Sequence, residues 1–162
     1  MREIVFSVEG NAVSKQSFRI GTHGGYQSSR VVKWQAKVRE EAAKAMNGTR
    51  PARTAVRVAL TFYLSTISRA DVDNLSKGVL DGLKGVVIAD DVLVVSLQAA
   101  KRLATKELLP AVVVEVYPEP GIKVGLPRRK NPAELQKTRA EKAKTKQKQL
   151  AKMDREIPRR KK

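Results

Sequence analysis

The sequence predicts an α+β fold: a single domain with a mixed β-sheet and two main helices, followed by a basic helical or disordered C-terminal tail. Three observations predict it. Stretches that alternate apolar and polar residues are interleaved with stretches whose apolar residues recur every three or four positions. Strands and helices in that irregular order suit a mixed sheet with the helices on one face. The charge is also divided unevenly. Residues 1–117 carry 17 Lys+Arg and 11 Asp+Glu, whereas residues 118–162 carry 16 and 5. That asymmetry sets a domain over 1–118 and a basic tail over 119–162, and it points to a polyanionic partner.

Each element has its own signal. In residues 3–9, Ile4, Phe6 and Val8 alternate with Val5, Ser7 and Glu9, which reads as a strand ended by Gly10-Asn11. Residues 11–29 read as a loop or irregular hairpin. They hold Lys15, Arg19, Gly21, Gly24 and Gly25, so they form either a surface hairpin or a phosphate-contacting loop. Ser28 and Ser29 are candidate caps for a helix of about 15 residues. Val31, Trp34, Val38, Ala42 and Ala45 make its apolar face, and Asn47-Gly48 and Pro51 end it. Residues 55–65 alternate again, with Val56, Val58, Leu60 and Phe62 on one side, and deliver the chain to Arg69-Ala70-Asp71.

Residues 74–84 are helical, with Leu75, Val79 and Leu83 as the apolar stripe. Asn74, Lys77 and Asp81 fall within about 60° of one another on another face. Asp73 is placed as the N-cap and Gly85 at C′. Gly78 and Gly82 mark either a close backbone approach or a weak helix held by packing. Residues 92–102 and 111–117 read as two strands, joined through 105–110 as an antiparallel hairpin. In the tail, residues 133–156 are rich in Ala, Lys, Glu, Gln and Arg, and the apolar residues are too sparse for a buried stripe. The tail is read as an exposed helix, a solvated segment, or one that orders on DNA or another anionic partner.

Composition removes several function classes. There is no cysteine, which excludes disulfides, thiolate zinc sites and cysteine nucleophiles, and fits a reducing cytoplasm. His23 is the sole histidine, so histidine triads and histidine-rich metal sites are disfavoured. No apolar run approaches the roughly 18 residues of a membrane span, and no membrane partner is expected.

The chemistry gathers between residues 69 and 91. Five of the sixteen acidic residues lie there, in a chain of net charge +17. Asp71 and Asp73 are two apart, so on extended backbone their carboxylates share a side and repel unless a cation intervenes. Hard oxygen donors suit Mg²⁺ or Mn²⁺. Asp90-Asp91 opens the next strand, from which Asp91 is expected to return to the pair. Lys77, one turn past Asp73, is placed to meet a phosphate oxygen or a leaving group. The alternatives are structural: capping by the Asp-x-Asp pair, pairing of Asp81 with Lys77 or Lys84, and Asp90 as a turn residue.

The run Arg69-x-Asp71-x-Asp73-Asn74-x-x-Lys77-x-x-x-Asp81-x-Leu83, followed by Asp90-Asp91 before a valine-rich strand, resembles the RusA family of Holliday junction resolvases. The stretch from Val13 through Lys15 to Arg19 is similar to that family's Pro-Lys-Gln-Arg-Pro-Arg type of loop. Here prolines are missing and Ser17 stands where an arginine is common. The resemblance covers residues 3–118. It implies a small homodimeric, metal-dependent endodeoxyribonuclease that nicks four-way junctions in symmetric pairs during DNA recombination and repair. It implies metal binding by Asp71, Asp73 and Asp91, with Mg²⁺ or Mn²⁺ as the ion, and a catalytic role for Lys77. Asn74, Asp81 and Asp90 match motif positions as supporting residues, and Asp90 is able to trade places with Asp91. DNA contacts are implied for Lys15, Arg19, Arg69 and Lys101. Two competing readings stay open. One is a non-catalytic nucleic-acid-binding protein whose acids only cap and pair. The other is a nuclease for flaps, forks or other branched DNA.

Overall fold

Strand β1 (Ile4–Glu9) follows the predicted alternation, with Ile4 and Val8 buried. Two three-residue strands, β2 (Arg19–Gly21) and β3 (Gly24–Tyr26), pair antiparallel as a hairpin, as one of the two readings of 11–29 expected. Helix α1 (Ser29–Met46) is capped by Ser28, whose side chain accepts from the Val31 N–H. It runs 18 residues, and it ends where Asn47 turns left-handed at φ 44°. Strand β4 (Val56–Leu64) buries every second residue. Helix α2 (Val72–Leu83), a short 3₁₀ turn (Asp91–Leu93), β5 (Val94–Leu103) and β6 (Ala111–Pro118) complete the order. The computed structural model describes residues 2–15, 28–67 and 71–126, the backbone of 19–21 and 24–26, and two tail positions, 141 and 145. The tail expectation therefore lies almost wholly outside the described residues.

The main sheet is four-stranded and mixed, in the order β1-β6-β4-β5. β5 runs parallel to β4, and β6 lies antiparallel between β4 and β1. The expected β5–β6 hairpin is thus replaced by a crossing. Connection 104–110 passes the ends of β4 and β1: Ala104 N–H donates to Leu64 O at 2.8 Å, and Gly10 N–H donates to Pro110 O at 2.6 Å. The physical reason is burial. Val112, Val114 and Val116 are fully buried, which needs a strand on each side of β6.

Side chains meet in rows across the sheet. Ile4, Val116 and Val58 form one row; Phe6, Val114, Leu60 and Ala99 form the next. These rows share one core with Trp34, Val38, Ala42 and Met46 of α1 and with Leu75, Val79 and Leu83 of α2. So both helices cover one face of the sheet, as the sequence predicted. The two helices also pack on each other through glycine. A Cβ at Gly82 would lie 2.6 Å from Val38 Cγ1, and one at Gly78 would lie 3.0 Å from Val13 O. Close approach, rather than a weak helix, accounts for both residues. The chain divides into two compact units, Met1–Leu126 and Pro127–Lys162.

Candidate active site

Parallel strands β4 and β5 are joined through α2, and that crossover distributes the acids. α2 starts where β4 ends, and β5 starts where α2 ends. The N-cap of α2 is Asp71, two residues earlier than expected, and Asp73 stands in the first turn. Asp71 has extended backbone (φ −67°, ψ 142°), yet its side chain makes no capping hydrogen bond. An N-cap aspartate usually accepts from the N–H two or three residues on. Here, among the described residues, the exposed carboxylate is met laterally, by Asn74 Nδ2 at 3.4 Å. Asp73 accepts from Lys77 Nζ at 2.8 Å, one turn along the helix. That hydrogen bond holds the Asp73 carboxyl below its usual range. The positive end of the helix favours both anions.

Asp90 and Asp91 form a second set at the other end of α2. Lys84, the C-cap of α2, reaches Asp90 Oδ2 at 2.8 Å and Asp91 Oδ1 at 3.0 Å. Asp90 also accepts from the Val92 N–H at 3.2 Å, capping the 3₁₀ turn. The Lys84 ammonium first, then this N–H, pull the Asp90 carboxyl down to about 2. In return Asp90, then Asp91, push Lys84 up to about 12. The two sets lie at opposite ends of the twelve-residue helix, which is about 18 Å long. Among the described residues no three carboxylates form a metal-binding group. The structure thus sets Asp71 and Asp73 close in sequence at the start of α2, each with its own partner, and joins Asp90 with Asp91 through Lys84 beyond its end, without a group of three carboxylates among the described residues.

Asp81 stands apart from both sets. Its Oδ2 accepts from Lys15 Nζ at 2.5 Å and from Gln35 Nε2 at 2.8 Å, while its carbonyl accepts from Arg39 Nη2 at 3.4 Å. Its partner is therefore neither Lys77 nor Lys84. Lys101 pairs with Phe62 across β4 and β5, which puts it half-buried on the helix side of the sheet. Arg19 lies in β2, with only its backbone described, and Arg69 lies outside the described residues. Lys84, Gln35 and the Asn11–Ser65 pair are site-building residues that the sequence did not single out. Lys84 meets Asp91 only because the turn after α2 folds back, with Gly85 at φ 82° and its N–H on Ile88 O.

The donors suit a hard divalent cation. They are exposed or half-exposed carboxylates, and three of the four already neutralise a cationic ammonium at 2.8–3.0 Å. A pair such as Asp71 and Asp73 matches the one or two protein carboxylates that Mg²⁺ takes. The sequence profile of the family described as Endodeoxyribonuclease RusA matches residues 9–117, more than half of the 162.

The chain belongs to the RusA endodeoxyribonuclease family. It is accordingly an endonuclease that cuts DNA within a strand. The RusA match takes in the β2–β3 hairpin, both helices and both carboxylate sets, and stops before the tail. No curated protein matches the chain. Among the described residues no helix is long and apolar enough to cross a membrane.

Proposed function

We propose that this RusA-family chain resolves four-way DNA junctions by paired symmetric nicks, as a metal-dependent homodimer. The observation that carries the reading is Asp71. A purely structural aspartate at an N-cap engages a backbone N–H, whereas this one is exposed and makes no capping bond, two residues before Asp73. That disfavours a binding protein whose acids only cap and pair.

Asp71, Asp73 and Asp91 would hold a Mg²⁺ or Mn²⁺ ion, which supplies a Lewis acid for the scissile phosphate and a bound water of lowered pKa. Asn74 steadies Asp71. Lys77 lies close enough to Asp73 to leave it for a phosphate oxygen and to stabilise charge on the leaving oxygen. The separation along α2 supports the homodimer. Asp91 of one copy is remote from Asp71 and Asp73 of that copy, so a site using all three draws Asp91 from a second copy. Lys15, Arg19, Arg69, Lys101 and the basic tail are proposed to contact the DNA backbone, with selection by junction shape.

Cleavage of a synthetic four-way junction tests this, with linear duplex, flap and fork alongside, in Mg²⁺ and in EDTA. Wild type is expected to nick the junction in symmetric pairs with Mg²⁺ alone. Asp73→Asn should lower the rate by on the order of 100-fold or more while binding persists. Efficient flap or fork cutting would change the substrate and keep the site. Binding without cleavage in any metal would overturn the enzyme.

A further inference from the structure

Residues 11–15, which lead from β1 toward the hairpin, bury none of their side chains fully. Ala12 and Val13 pack half-buried against the core, and hydrogen bonds and close backbone contacts hold the segment beside them. At its start Asn11 and Ser65 exchange two bonds: Asn11 Nδ2 donates to Ser65 Oγ and Ser65 N–H donates to Asn11 Oδ1, both at 3.0 Å. Ser65 lies just past β4, on the path to Asp71. In the middle, Val13 O packs against Gly78, so closely that a methyl group there would meet it at 3.0 Å. At its end the Lys15 N–H donates to Asn74 O at 3.0 Å, and Lys15 Nζ donates to Asp81. Asp81 is in turn fixed by Gln35 of α1. The segment thus spans both flanks of the Asp71–Asp73 turn.

We propose that Asp81 is a positioning residue for DNA binding: it clamps Lys15, and with it residues 11–15, in fixed register with the Asp71–Asp73 turn. The proposal rests on the endonuclease reading. α2 itself needs no such clamp, because Leu75, Ser76, Gly78, Val79, Gly82 and Leu83 already bury it. What depends on Asp81 is the segment laid across it. The clamp is compatible with the DNA contact proposed for Lys15; the competing accounts of Asp81 are a charge effect alone and a metal contact, and the sign of one substitution separates the first from the clamp. Asp81→Asn removes a negative charge and releases an ammonium. If charge alone mattered, a polyanion would then bind more tightly. A broken clamp makes it bind more weakly.

Trp34 gives a readout that needs no DNA. It is the sole tryptophan, it is 5% exposed, and its Nε1 lies 3.8 Å from the point where Gly78 would carry a Cβ, beside Val13 O. Its N–H has no partner among the described residues. Undocking of residues 11–15 would open it to water.

The experiment compares wild type, Asp81→Asn, Lys15→Met and the double variant by acrylamide quenching of Trp34, circular dichroism, junction affinity and metal-titrated cleavage. Expected for both single variants are stronger quenching, unchanged helix signal and about five- to tenfold weaker junction binding. In Asp81→Asn the loss should appear in KM, with turnover at saturating junction and the metal midpoint retained. The double variant should bind no worse than the weaker single variant. Unchanged quenching with equal or tighter binding in Asp81→Asn would overturn the clamp. Lost turnover with a shifted metal midpoint would assign Asp81 to the metal site instead. If Asp81→Asn does not fold, Lys15→Met carries the comparison from the other partner. If wild type neither binds nor cuts a junction, the enzyme reading fails, and the quenching comparison decides the docking by itself.

Discussion

Asp90 sits between a lysine ammonium and a backbone N–H, and its charge follows from both. Its folded pKa of about 2 lies below the ordinary 3.8, so the charged form is favoured in the fold. The stabilisation is present above about pH 4 and is lost as the pH falls through about 2. Lys84 has the opposite sign: raised from 10.5 to about 12, it contributes below pH 10.5 and loses that contribution as pH rises through 12. Both groups meet solvent, so screening keeps the effect on overall stability small. The titration itself is the sharper test. In metal-free protein, carboxyl NMR should give Asp90 a midpoint near 2, moving up toward 3.8 in Lys84→Met. An unmoved midpoint would remove Lys84 from the account. Asp71, Asp73, Lys77 and Asp91 were legible in the sequence, because their types and spacing are local. Lys84 was not, because seven residues and a tight turn separate it from Asp91.

Among the elements, helix positions were read to within a few residues, because a buried face repeats every three or four positions in the chain itself. The glycines of α2 show where such reading stops. Gly78 and Gly82 are four apart under either interpretation, and only the neighbour facing them decides. The neighbour is α1, with Val38 Cβ at 2.7 Å from the position of a Gly82 Cβ. Gly82→Ala gains about 1 kcal/mol of helix propensity, but the clash with a buried branched residue outweighs it. The net loss should be about 1–3 kcal/mol, seen as a lower Tm, and Val38→Ala should recover part of it. A rise in Tm for Gly82→Ala would show that α1 yields freely. The β5–β6 connection was misread for a related reason. Adjacent strands with a short link usually pair, but β6 takes an inner place between β4 and β1 and leaves β5 at the edge beside β4.

At the scale of the whole molecule, the crossover between β4 and β5 distributes the carboxylates. It sets Asp71 and Asp73 at one end of α2 and Asp91 at the other, so a homodimer with shared sites makes a specific prediction. Asp73→Asn and Asp91→Asn should each be inactive alone. Mixed and allowed to exchange copies, they should regain one intact site per heterodimer and nick one strand of a junction. Sites contained within one copy would give no recovery. The sequence by itself determined the element types, the single α+β domain and the family, and it singled out the residues proposed to carry the chemistry. Each of these is written in short-range periodicity or in a motif of fewer than two dozen positions. The tertiary structure alone decided the strand order, the separation of the two carboxylate sets, the use of the helix glycines and the joining of Lys15 to Asp81 across 66 residues. Those depend on the path of the chain through space, which is set by how the apolar faces are jointly buried and leaves no local trace in the residues that meet.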